Sequence, residues 1–118
     1  MSSSLRDRIA ASTYRTEHLT VPEWDNIELE IRSISVRRRA ELMRYAQNTD
    51  DTVDMIRFGP ALVIAATYDP ATGTPAFTDD DVELLADMPA GVIDRLMNTA
   101  MRVSGLDRDS LESGKDGS

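Results

Sequence analysis

Cysteine is missing from all 118 residues, which removes disulfides, thiol nucleophiles and thiolate metal sites together and agrees with a reducing compartment. Histidine occurs once, as His18. A nucleophile–base pair would therefore need Ser or Thr with that single imidazole, and nothing around it marks such a site. Beside Glu17, in a stretch that reads as a strand, His18 is read as a surface residue of a hairpin. Aromatics make up only 5% of the chain, with one Trp, so the core must be aliphatic, and the six Met serve as gap fillers. No apolar run approaches the roughly 20 residues needed to cross a bilayer. The opening Met-Ser-Ser-Ser-Leu-Arg-Asp-Arg has no apolar segment of the secretion type. No membrane partner and residence in the cytosol are the expectations.

What remains is an acidic chain whose charge is unevenly placed. The formal net charge is -8. Residues 1–59 hold nine Arg against ten acids, whereas residues 60–118 hold four basic residues against eleven acids. Phosphate backbones would be repelled over most of such a surface, so nucleic acid is not an expected partner, and a basic partner fits better than an acidic one. The length suits one folded unit. The expected division is a flexible N-terminus over 1–12, a single α+β domain over 13–106, and a disordered polar tail over 107–118, where DRDSLESGKDGS has nothing to bury. Ser4 before LRDRIAAS is positioned to cap one short helical turn within the first segment.

The organising stretch is 19–46. Ile27, Leu29 and Ile31 alternate with Glu28, Glu30 and Arg32, the two-residue period of a half-buried strand. Pro22-Glu23-Trp24-Asp25-Asn26 reads as a tight turn back to a strand within 13–21, giving a β-hairpin over about 13–34. Two strands alone are marginal, so helices must cover one face. Ser35 stands as the N-cap of a helix whose inward face would be Val36, Ala40 and Met43. Thr49-Asp50-Asp51-Thr52 offers caps for a second helix starting near 51, which Gly59-Pro60 should break or kink before a new one begins. The apolar run ALVIAATY, 61–68, is the most buried piece; periodicity leaves helix or strand open, and its alanines favour helix. A loop over 69–77 follows, closed by Phe77 as a core anchor. Thr78 with Asp81 three residues on begins a helix over 79–87 that buries Val82 and Leu85, with Leu84 as a further candidate. Pro89 opens another, with Val92, Ile93, Leu96, Met97, Ala100 and Met101 as one apolar stripe and Gly105 as its stop. The fold class is α+β: the hairpin packed on a bundle of four to five short α-helices.

Motifs that might carry chemistry have plainer explanations. Asp79-Asp80-Asp81 point apart on a helix and lack the glycine and glutamate of a calcium loop, so capping accounts for them. Asp69-Pro70-Ala71-Thr72-Gly73-Thr74 lacks the lysine of the phosphoryl-acceptor motif of transport ATPases. Gly114-Lys115 lacks the upstream glycine of a phosphate loop. No catalytic residue, metal or cofactor is expected. Trp24 has two readings, a lid on the hairpin turn or an exposed anchor for another protein, the lid being favoured. Arg37, Arg38 and Arg39 spread about 200° around a helix, so a solvated face with Glu41 as local partner is favoured over a binding patch.

Taken in order, the V-P-E-W turn, the charged strand entering a helix (IELEIRSISVRRRAEL), the segment ALVIAATYDPATGTPAFTDDDVELL and the final helix ending in V-S-G-L resemble the small tail assembly chaperones of long-tailed bacteriophages. The resemblance covers 19–106. It implies a non-enzymatic protein of the host cell cytoplasm that binds the tape measure protein while tail-tube subunits assemble, and that is absent from the virion. The tail tube protein and a frameshifted longer form of the chain itself, joined after Gly105, are further candidate partners, and self-association stays open. Candidate contacts are Trp24, the helix with Arg37, Arg38 and Arg39, and Asp94, Arg95 and Asn98 on the exposed side of the last helix. A structural tail or head–tail completion protein retained in the particle is the alternative; a small hydrolase would require a cleft with a perturbed ionisable group.

Overall fold

The computed structural model describes residues 4–11 and 15–106. Strands β1 (Thr16–Val21) and β2 (Ile27–Arg32) form the expected antiparallel hairpin, in register from Thr16 opposite Arg32 to Val21 opposite Ile27. Their connection is a short 3-10 turn over Pro22–Trp24 followed by Asp25 and Asn26, both at positive φ (57° and 58°). Asp and Asn are the non-glycine residues that most readily accept that conformation. Leu19, Val21, Leu29 and Ile31 face inward, while His18, Glu28, Glu30 and Arg32 face out. The outward layer closes over itself: the Arg32 guanidinium lies 3.9 Å from the centroid of the Tyr68 ring and pairs with Glu30.

Ser35 caps α2 (Val36–Ala46), its Oγ accepting from the Arg38 N–H at 3.0 Å. The inward face differs from the expected one. Leu42 and Ala46 are buried with Met43 partly so, while Val36 is 74% exposed and Ala40 is exposed. The i, i+4 row of Leu42 and Ala46 packs on the next helix, and a stripe chosen one residue off leaves Val36 in the first turn facing water.

Helix α3 (Met55–Ala66) starts later than expected, because residues 47–53 form a loop closed by a bridge between Gln47 and Val53. Asp54 caps it, accepting from the Ile56 N–H at 2.9 Å. The helix also runs unbroken through Gly59-Pro60, against expectation. Pro60 forfeits one hydrogen bond, but Phe58 to Ile64 is buried without interruption, and that burial outweighs the loss. Gly59 has a packing reason: a Cβ there would stand 3.1 Å from the Met97 sulfur, so the glycine lets two helices cross closely.

The apolar run 61–68 is helix only to Ala66. Thr67–Tyr68 form β3, an unexpected third strand that pairs antiparallel with β2 through Glu30–Tyr68 and Ile31–Thr67. The chain then turns at 69–73 and runs back beside β3, with the Ala76 N–H donating to the Thr67 carbonyl at 3.0 Å. The expected helix over 79–87 divides into a 3-10 turn, Asp79–Asp81, and α4 (Val82–Ala86). Its start is fixed by the Asp81 carboxylate, which accepts from the Thr78 N–H at 2.9 Å.

Helix α5 (Ala90–Val103) presents the expected stripe, with Val92, Ile93, Leu96, Ala100 and Met101 buried and Met97 partly so. Gly105, at φ 70°, ends it, and the Leu106 N–H returns to the Met101 carbonyl at 2.7 Å. α3 is the hub, lying against α2, α4 and α5, while α5 also lies beneath the hairpin. In front of β1, α1 (Leu5–Ala11) is capped by Ser4 and buries no residue. The strand character expected at Thr13 and Tyr14 and the polar tail expected over 107–118 lie outside the described residues.

Candidate partner-binding surface

The register places an opening beside the hairpin turn. β3 meets β2 only at Glu30 and Ile31, so next to Ile27, Glu28 and Leu29 the 69–77 segment diverges from the sheet. Between them lies a groove of about 470 Å³. Its walls are Trp24, Ile27 and Leu29 on the hairpin side, Pro75 and Phe77 opposite, and Met88 below. Ile27, expected on the covered face with Leu29 and Ile31, is 49% exposed because it sits at the open end of this groove. Phe77, expected as a core anchor, is half-buried and packs against the core with one side only.

Trp24 is half-buried and meets Phe77 edge to face, with centroids 6.5 Å apart at 70°. The two rings make one continuous aromatic wall across the groove. Around this apolar surface the lining charges are Glu28 and Asp69, both acidic. Asp69 Oδ1 accepts from the Ala71 N–H at 2.8 Å, which fixes the turn. The Glu28 carboxylate has no partner among the described residues.

Two ion pairs fasten the hairpin to α5, one at the turn beside the groove and one near the start of β1. Arg95 donates to both Glu23 oxygens, at 2.6 and 3.1 Å, and Arg102 to both Glu17 oxygens, at 2.9 and 3.0 Å. The guanidinium hydrogen bonds hold the Glu23 and Glu17 carboxyls below the usual glutamate range and raise the two arginines. Arg95 is thus engaged within the fold and orients the turn that carries Trp24. Asp94 borders a smaller depression lined by Ile56, Pro60 and Ile93, while Asn98 is exposed on α5.

The arginine helix is arranged differently. Arg38 donates to Asp79 at 2.9 Å and approaches Glu41 at 3.6 Å, bracing α2 against the 3-10 turn before α4. Arg37 and Arg39 are exposed with no ionic partner among the described residues. The three do not converge on one patch. His18 lies 3.5 Å from Glu30 on the outer sheet face. Of the candidates named from sequence, only Trp24 stands in the groove; Ile27, Glu28, Phe77 and Met88 complete it. The sequence signal for them was limited to the short β2 alternation and the turn-rich loop.

Three comparisons bear on this arrangement. A family model described as "Phage tail assembly chaperone" matches residues 4–116. The solved structure of the tail assembly chaperone of bacteriophage HK97 is similar in fold, with a TM-score of 0.58 and 20% identity, covering 86% of this chain and 98% of that one. No curated protein sequence matches the chain.

Proposed function

Because the chain belongs to the phage tail assembly chaperone family, we propose that it binds the tape measure protein of its phage, supports growth of the tail tube around it, and is absent from the finished virion. The observation that carries this reading is the family match over 4–116, nearly the full length. The surface is in keeping with it. An open apolar groove with an acidic rim suits capture of another polypeptide, because apolar contacts supply affinity without demanding one reacting geometry. The Glu23–Arg95 and Glu17–Arg102 pairs tie the hairpin to α5, and the family assignment favours a non-enzymatic role. Among the described residues no helix is long and apolar enough to cross a membrane, and action in the host cytoplasm is the setting we propose.

Co-expression with the phage's own tape measure protein tests the reading. The expected outcome is that the tape measure protein stays soluble and co-purifies with this chain. Equal precipitation with and without the chain would refute it. Mass spectrometry of mature particles addresses transience: stoichiometric presence there would convert the protein into a retained tail component.

A further inference from the structure

We infer that the groove lined by Trp24 and Phe77 is where the tape measure protein docks, through a segment that seats an apolar side chain against the aromatic wall and sets a Lys or Arg against Glu28 and Asp69. The inference rests on the chaperone reading above and adds the surface and the chemistry of the bound segment. Three observations carry it. The groove, at about 470 Å³, falls in the range of sites that enclose small ligands, so it accommodates one or two anchoring side chains rather than a whole helix face. Its walls are largely apolar and include Trp, the residue type most enriched at binding hot spots. Its charges are of one sign: among the described residues Glu28 and Asp69 line it and no cation does, and the nearby Arg95 and Arg38 are already paired with Glu23 and Asp79. An acidic segment would meet repulsion and a neutral one would leave the carboxylates without a counterion, whereas a basic flank complements them.

The groove is also preformed. The Glu23–Arg95 pair holds the Trp24 turn on α5, and the turn at 69–73 is fixed by the Asp69 carboxylate and by the Gly73 N–H donating to the Asp69 carbonyl at 2.7 Å. A partner therefore meets a shaped surface and little ordering cost is added on this side.

The test uses the full chain co-expressed with the tape measure protein, comparing wild type with Glu28→Lys, Ile27→Ser and Arg39→Glu. Both groove substitutions are at exposed positions, and unchanged melting temperatures would establish that the fold persists. The expected result is at least about a tenfold loss of apparent affinity for Glu28→Lys and for Ile27→Ser, with Arg39→Glu close to wild type. Wild-type binding that survives both groove substitutions would overturn the inference and leave the chaperone reading intact. Failure of the wild type itself to retain the tape measure protein would remove that reading and the inference with it. If the groove variants alter sedimentation of the isolated chain while still retaining the tape measure protein, a second copy occupies the groove and the inference is overturned.

Discussion

The arginine face of α2 and the groove beside Trp24 make an instructive pair. Three consecutive arginines are conspicuous in the sequence, yet the helix distributes them around its axis, commits Arg38 to Asp79 and Glu41, and leaves Arg37 and Arg39 as solvated charges. The groove is inconspicuous in the sequence, assembled from residues of the hairpin, the 69–77 segment and the stretch before α5. It combines open apolar area with charge of one sign. A recognition surface is defined by what side chains still have unsatisfied after folding, and a run of like residues says little about that.

The comparison can be broken or sharpened in four ways, from the largest effect to the smallest. Leu96→Ala removes a fully buried side chain of α5, the helix that lies against α3 and beneath the hairpin, and should cost about 2–5 kcal/mol in chemical denaturation. Both surfaces should be lost together; survival of one would mean that they rest on separate supports. Trp24→Ala takes away half of the aromatic wall from a half-buried site and should cost about 1–3 kcal/mol while leaving helix content unchanged by circular dichroism. Tape measure binding should fall with it, although the α2 face is untouched.

Acid should act on the contact between the hairpin and α5 next. Glu17 and Glu23 are held below their ordinary value of 4.5 by Arg102 and Arg95, so the folded state binds fewer protons there than the unfolded chain. Their contribution is present above pH 4.5 and is lost as pH falls through the lowered values. Melting temperature measured down through that range should drop in wild type, and less steeply in a Glu17→Gln, Glu23→Gln double variant. An unaltered acid limb would show that these pairs do not tie the hairpin to α5. Least of all, Arg37→Ala and Arg39→Ala should shift stability by no more than about 0.5 kcal/mol and leave binding unchanged; a clear loss of binding would move the interaction surface to α2.

Legibility followed the range of the forces involved. The hairpin register was written in the alternation of Ile27 to Arg32, the cap in Ser35, and the α5 stripe in Val92 to Met101, because each depends on neighbours within a turn or a strand pair. Thr67–Tyr68 was hidden, since two residues at the end of an apolar run carry no period of their own and become a strand only because Glu30 and Ile31 lie alongside. Gly59-Pro60 misled for a related reason: the local rule for a break is sound, but the closeness of Met97 and the burial around it decided otherwise. Of the candidate surface, Trp24 was visible as a lone indole in a turn. Phe77 reads as a core anchor, Ile27 and Glu28 carry only the alternation of β2, and Met88 has no distinguishing mark.

By itself the sequence determined an acidic, cysteine-free α+β chain with a hairpin at one end and an amphipathic helix at the other, because composition and short-range periodicity act before any long-range contact forms. Only the tertiary structure decided that α3 would run through its proline, that a third strand would stop two residues after it began, and that the divergence beyond Ile31 would leave a groove. Those outcomes depend on residues far apart in the chain being brought against one another, and such encounters have no signature in the local pattern that precedes them.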